Sequence, residues 1–421
     1  MENSNEDMRP HSFKKAKLVC SSCGKPFPWE SLTQRCSQCD EPLEIHFDLN
    51  KNRFLNTKQV LEARPFNIWK YKEFLPFESY DHIVTLWEGG TPLLEAKNLM
   101  KHLGIPQILL KDETRNPTGS FKDRGTSVGI TKALELGVRG VGTVSTGNMA
   151  ASVAAYAAKA QLPCVILIPQ NTSMQKVAQT AICGVNVVAV TGPYAKMYDV
   201  SLKIGHETGV LFINSDSPWR IEGQKTIAYE ICDQLGWQAP DHLIVPVSSG
   251  GNISAIFKGF MELYEIGFIS QMPHIIGVQA KGNSPIVKAF FEGKNKVEEF
   301  PNPLTIAHAI ANPSPPSGNR VLKFLKEFGG SMFSVLDDEI LDAQRLLATR
   351  EGIFAEPAGA TPLATLKCLL EQGEITKNDK VVCVITGHGL KDINVVSDQL
   401  SKTTFSKSED LETIINSLLY S

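Results

Sequence analysis

The hydrophobic pattern changes character along the chain. Residues 50–100 are mixed, with aromatic positions in "FNIWKYKEFLP" and a turn signal at "WEGGTPL". Beyond them, compact apolar runs alternate with stretches of helical period. "QILLKDE" reads as a strand and "SFKDRGTSVGITKALELG" as a helix. "GVGTVSTGN" reads as a strand running into a loop, and "MAASVAAYAAKAQ" as a helix of small residues. "CVILIP", "SMQKVAQTAICG" and "NVVAVTG" repeat the alternation, which resumes in "HLIVPVSSGGNISAIFKGF", "HIIGVQA" and "KVVCVITGHG". Short unbroken apolar runs fit strands buried on both faces, and the intervening helices supply the crossovers a parallel sheet needs. The pattern predicts an α/β fold of open, mostly parallel twisted sheets in two lobes that share a crevice. "NPSPPSGNR" is a Pro-rich loop, and Leu411, Ile414, Ile415 and Leu418 mark a short amphipathic helix after a polar tail from Ser401.

Composition narrows the class. The 421 residues are 42% hydrophobic and 21% charged with a formal net charge of -3, as expected of an ordinary globular protein. That balance speaks against a nucleic-acid footprint or a polybasic membrane patch. No apolar run reaches membrane-spanning length. The polar, charge-mixed start, "MENSNEDMRPHSFKKAK", lacks the apolar stretch of a secretory signal, so a frayed tail and a cytoplasmic location are expected. Of nine cysteines, Cys164, Cys183, Cys232, Cys368 and Cys383 lie mostly in apolar runs and read as buried free thiols. The other four, Cys20, Cys23, Cys36 and Cys39, form two C-x2-C knuckles twelve residues apart, the spacing of a tetrahedral zinc ribbon. A closed four-thiolate site has no position left for substrate, so the zinc would be structural. Binding of nucleic acid or protein is the rival role for such a ribbon.

Three glycine-bearing loops follow apolar strands, where open α/β sheets bind ligands. Ser145, Thr146, Gly147 and Asn148 lead into a helix and suit a carboxylate or phosphate, or simply cap the helix. Ser248, Ser249, Gly250, Gly251 and Asn252 match neither a Walker A loop nor G-x-G-x-x-G, but two adjacent glycines let backbone approach a phosphate. Thr386, Gly387, His388 and Gly389 form the third loop, with His388 read as a turn histidine bonded to backbone. Lys122, in "NPTGSFKDRG", stands just inside a helix N-terminus, which disfavours its protonation. It is either a solvated charge paired with Asp123 or Arg124, or an amine able to form a Schiff base with a carbonyl cofactor. With a separate phosphate cradle, the second reading suggests pyridoxal phosphate.

Taken together and in order, "NPTGSFKDRG", "STGN", "RIEGQKT", "SSGGN", "FAEPAGAT" and "TGHGLKD" resemble the threonine synthases, pyridoxal-phosphate enzymes of the tryptophan-synthase-β fold type. "LWEGGTPL" resembles their lead-in to the active-site lysine, and some members carry a similar zinc ribbon. The resemblance spans roughly residues 65–400. It implies a tail and ribbon over 1–49, a large cofactor domain in two pieces, 50–136 and 222–400, a smaller mobile lobe over 137–221, and a tail over 401–421. It implies that Lys122 joins the cofactor and shuttles protons, and that Asn148 bonds the ring hydroxyl. Ser249, Gly250, Gly251 and Asn252 would hold the cofactor phosphate, and Thr386 would face the pyridine nitrogen. Ser145, Asn214, Arg220 and Asn252 would stand near the substrate's carboxylate or phosphate.

The implied reaction converts O-phospho-L-homoserine and water to L-threonine and phosphate by γ-elimination and β-addition, in a homodimer that binds neither membrane nor nucleic acid. Met149, where many members have threonine, departs from the family pattern. So do the Ser-Ser-Gly-Gly-Asn loop, closer to dehydratases, and Ser217, where asparagine is common. The rivals are a threonine or serine dehydratase, a β-replacement enzyme such as a cysteate synthase, or a zinc-ribbon binding module on an inactive scaffold.

Overall fold

The computed structural model describes residues 16–49, 57–77, 79–105, 107–172, 174–192, 194–397 and 411–419. The N-terminal tail expected to fray, and the polar stretch after Ser401, fall outside these residues, apart from Ala16 and Lys17. The ribbon segment forms an antiparallel sheet of β1 (Lys17–Cys20), β2 (Pro26–Phe27) and β3 (Leu43–His46), in the order β2-β1-β3. Leu18, Leu43 and Ile45 are buried there, and Trp219, far away in sequence, completes their cluster.

The rest is built on two sheets. The strands are β4 (Leu93–Glu95), β5 (Ile108–Asp112), β6 (Gly140–Val144), β7 (Cys164–Pro169), β8 (Asn186–Val190), β9 (Val210–Phe212), β10 (His242–Pro246), β11 (His274–Ala280), β12 (Ser331–Val335) and β13 (Val381–Ile385). The larger sheet runs β12-β11-β10-β13-β5-β4, all pairs parallel except β4 with β5. The smaller runs β8-β7-β6-β9, all parallel. Every residue of β6 and β13 is buried, as strands covered by helices on both faces must be. Three strands escape the sequence pattern. β4 and β9 have three residues each, and β12 ("SMFSV") is an edge strand with only Met332 and Val335 buried.

The order of the larger sheet matters most for function. β10, β13 and β5 are neighbours and parallel, so their carboxyl ends open on one edge. The loop after β5 carries Lys122, the loop after β13 carries Thr386, and the loop after β10 carries Ser249–Asn252. Two strand spacings, about 10 Å, separate the outer loops. The lysine helix, Lys122–Glu135, packs on a short helix from the smaller sheet's side, Pro218–Gln224. Glycine permits the close approach: a Cβ on Gly125 would lie 2.8 Å from the Arg220 carbonyl, and one on Gly223 would collide with the Arg124 carbonyl.

All nine cysteines are free thiols: Cys164, Cys232 and Cys383 are buried, Cys183 and Cys368 half-buried. No described helix is long and apolar enough to cross a membrane. The C-terminal helix spans Leu411–Leu419 with Leu411 and Ile415 exposed.

Candidate active site

The lysine loop is pinned from several sides before the helix begins. Asn116 accepts from the Gly89 N–H at 2.9 Å and donates to Glu113 Oε2 at 2.8 Å. Thr118 donates through its N–H and its hydroxyl to the Asp123 carboxylate, both at 2.7 Å. The Phe121 N–H donates to the Thr386 carbonyl at 3.1 Å, and the His388 N–H to the Gly119 carbonyl at 2.9 Å, which zips this loop onto the end of β13. Asp123 also accepts from Ser152 at 2.6 Å; burial pushes its carboxyl up to about 6 against these bonds. Arg124 turns away and donates to Glu113, Glu230, Thr91 and Thr226. Both neighbours of the lysine therefore belong to the scaffold, and neither neutralises it.

The Lys122 amine is left without a hydrogen-bond or ion-pair partner among the described residues; Nζ lies 4.2 Å from the centre of the Phe121 ring. Burial first, and the Arg220 charge second, lower its amine from 10.5 to about 7, with Glu356 opposing both. Arg220 is itself fully buried. Its Nη1 donates only to the thioether of Met149, while Nε and Nη2 have no partner. Burial pulls this guanidinium down to about 9, with Asp123 and Asp216 opposing. A desolvated cation with open donors is costly unless an anion completes it.

The glycine loop packs closely on its own chain. Gly250 takes φ +88°, and a Cβ there would stand 2.9 Å from the Ser317 carbonyl; one on Gly251 would stand 2.6 Å from the Ser215 carbonyl. Ser249 is fixed by Asn312, which donates to its hydroxyl at 2.8 Å, and by the Ser317 N–H, which donates to its carbonyl at 2.9 Å. The helix Gly251–Glu265 presents its first-turn N–H groups here. Both amide atoms of buried Asn252 lack partners, as do the hydroxyls of Ser254, Ser217 and Ser120. Buried polar groups are seldom left unmatched. Their concentration on the loops around Lys122 and Arg220 fits a polar cofactor and substrate.

The remaining candidates divide. Thr386 is buried at the end of β13, between the lysine and glycine loops. Asn148 donates its amide to both oxygens of Glu356 at 2.9 Å. Ser145 is half-buried, and its hydroxyl accepts from the Gly147 N–H at 3.2 Å. Asn214 accepts from the Val144 N–H at 3.0 Å and donates to Ser201 at 3.1 Å, so its amide holds the end of β6. His388 accepts from the Leu390 N–H at 3.1 Å, the turn histidine expected. Glu356 is a candidate site residue that sequence reasoning passed over. It is buried, burial pushes its carboxyl up, and it acts electrically on Lys122. The available signal was an acid set among small and apolar residues in "FAEPAGAT".

The four ribbon cysteines come together, with all sulfurs within 4.8 Å of one another. Cys20 and Cys39 are 3.4 Å apart, and Cys23 and Cys36 3.7 Å. A tetrahedron with Zn–S bonds of about 2.3 Å has edges of about 3.8 Å. Backbone N–H groups of Ser22 and Cys23 donate to Cys20 Sγ, and that of Gln38 to Cys36 Sγ, each at 3.4 Å. The ribbon grips the segment leading to Arg220. Gln34 donates to the Phe212 carbonyl at 2.6 Å, Arg35 to Asp216 at 2.5 Å, and Trp29 meets Trp219 edge-on at 5.1 Å.

Comparisons with known proteins show the family and the fold. The profile of the family described as pyridoxal-phosphate dependent enzyme matches residues 84–387. A threonine synthase of Methanocaldococcus jannaschii is 45% identical over 374 residues, covering 89% of this chain and 92% of that protein. One from Methanosarcina acetivorans is 40% identical over 388 residues, covering 92% and 95%. Among solved structures, maize serine racemase superposes with a TM-score of 0.62 at 25% identity, covering 73% of this chain and 91% of that one.

Proposed function

The chain belongs to the pyridoxal-phosphate-dependent enzymes and, within them, to the threonine synthases, and from that premise we propose how its own residues divide the work. The reaction converts O-phospho-L-homoserine and water to L-threonine and phosphate by γ-elimination and β-addition. Pyridoxal phosphate, when bound, supplies a carbonyl that condenses with amines and a ring that withdraws electrons from the adjoining carbon. Lys122 would hold its aldehyde end, Asn148 the ring hydroxyl, Thr386 the ring nitrogen, and Ser249, Gly250, Gly251 and Asn252 its phosphate. The first-turn N–H groups of the helix that begins at Gly251 and the unmatched Asn252 amide support that assignment.

Lys122 Nζ takes the proton from substrate Cα and then moves a proton at Cβ. An amine lowered to about 7 suits this work, because near neutral pH it both accepts and returns protons readily. Glu356 holds the Asn148 amide and, by its charge, keeps Lys122 from falling lower still. Arg220 binds the substrate's phosphate through Nε and Nη2, with Asn252 and Ser145 completing the oxyanion contacts and Asn214 holding the β6 end in place. Gln179 links the two sheets over the lysine loop: it donates to the Thr118 carbonyl at 3.3 Å and accepts from Lys391 at 2.8 Å. Such a link helps exclude water until phosphate leaves.

The observation that carries these assignments is a buried guanidinium with open donors close to a lysine amine that has no partner among the described residues. Supplied with O-phosphohomoserine, the purified protein should release phosphate and threonine in equal amounts. Ammonia and a 2-oxo acid formed from threonine, without phosphohomoserine turnover, would overturn the reading in favour of a dehydratase. The four ribbon thiolates fit one structural zinc, which elemental analysis should find at one per chain. A cytoplasmic homodimer goes with the family resemblance, and light scattering decides the dimer.

A further inference from the structure

Arg220 has a counterpart that the reaction does not use. Arg320, on the helix Gly318–Phe328, is 3% exposed and makes no ion pair among the described residues. Its Nη2 donates to the Ser317 hydroxyl at 3.3 Å, and its Nε has no partner. The carboxylates that act on it from a distance are Glu44, Asp216 and Glu41. Each is engaged elsewhere: Glu44 with His46, Asp216 with Arg35 and Tyr198, and Glu41 with Asn319.

Arg320 lines a cavity of about 740 Å³ between the ribbon and its own helix. The charged lining is Arg320, Lys296, Lys323 and Lys326 against Glu41 and Glu327, four cations to two carboxylates. Lys323 donates to the Ser21 carbonyl at 2.9 Å, which ties one wall to the first zinc knuckle. Lys296 and Lys326 are exposed and have no partner among the described residues. A surplus of two positive charges matches the charge of roughly −1.5 to −2 on a phosphate monoester near neutral pH. The volume falls within the range of about 300–1,000 Å³ typical of small-molecule sites. None of the lining residues belongs to the active site, although Ser317, which holds Ser249, also contacts Arg320.

We propose that this cavity is a second anion site, which takes a small phosphate-bearing molecule with Arg320 at its floor and Lys296, Lys323 and Lys326 around its mouth. Inorganic phosphate is the probe, titrated calorimetrically into the pyridoxal-phosphate-loaded enzyme. Binding should persist in Arg220→Met, which removes the active-site anion contact, and in that background it should disappear when Arg320→Met is added and weaken at least about tenfold when Lys296→Glu/Lys326→Glu is added. The double variant changes only exposed side chains and decides the matter if Arg320→Met does not fold. Binding lost in Arg220→Met, binding unaffected by the double variant, or no binding to the wild-type enzyme would each overturn the proposal.

Discussion

Arg124 and Arg220 are both fully buried, and the helices that carry them touch backbone to backbone, yet their surroundings are opposites. Arg124 donates to Glu113, Glu230, Thr91 and Thr226, and the two carboxylates hold its charge firmly in place. The Arg220 guanidinium meets a methionine sulfur and no other hydrogen-bond partner among the described residues, and burial weakens its hold on the proton. A buried ion network that is complete spends its charge on fixing the fold. One left open keeps its binding capacity for a ligand. The same contrast separates Lys111, paired with Glu230 at 2.7 Å, from the Lys122 amine, which has no partner among the described residues.

The sharpest test of the contrast is Lys122→Ala. It should cut turnover by about 10⁴-fold or more, followed as phosphate release, and abolish the visible absorption of the cofactor–lysine adduct. Substitution of the two arginines should then give opposite signatures. Arg124→Met strands the Glu113 carboxylate and should cost about 3–5 kcal/mol in a denaturant titration. Arg220→Met should leave that midpoint unchanged or higher, while raising KM for O-phosphohomoserine about 10²-fold, equivalent to about 2.7 kcal/mol. Equal destabilisation by both would dissolve the distinction.

The pH dependence gives a milder probe. The folded value of Lys122, about 7, lies below its ordinary 10.5, so the unfolded chain binds the extra proton in between. Cofactor-free protein should therefore gain stability as pH rises from about 7 towards 10.5, and Lys122→Met should flatten that rise. Removing the Arg220 charge should move the Lys122 titration upward, a shift that Lys111→Met, at a lysine paired with Glu230, should not produce. The smallest effect concerns the ribbon. Gln34→Ala leaves the Phe212 carbonyl unmatched behind Arg220, and should cost about 1 kcal/mol by thermal melting with a few-fold rise in KM.

Much of this was legible in the chain. The strands with dense apolar runs, the glycine loop and the lysine at a helix start all announce themselves locally. So do the four cysteines, whose spacing alone foretold that their sulfurs would meet. The short strands β4 and β9 and the edge strand β12 did not, because three residues or one buried face leave too weak a pattern. Glu356 was hidden for another reason: its partner Asn148 is 208 residues away. Asn214 shows the limit of motif matching, since its place by the site was expected but its amide serves the end of β6.

By itself, the sequence determined the alternation of buried strands and helices, the flexible glycines and the inventory of reactive side chains, because these depend on neighbours within a few residues. Only the tertiary structure decided which charges are neutralised. Arg124 reaches Glu230 across 106 residues, while Arg220 forms no ion pair among the described residues. Ion pairing and desolvation depend on distance in space, and the sequence carries no direct measure of that distance.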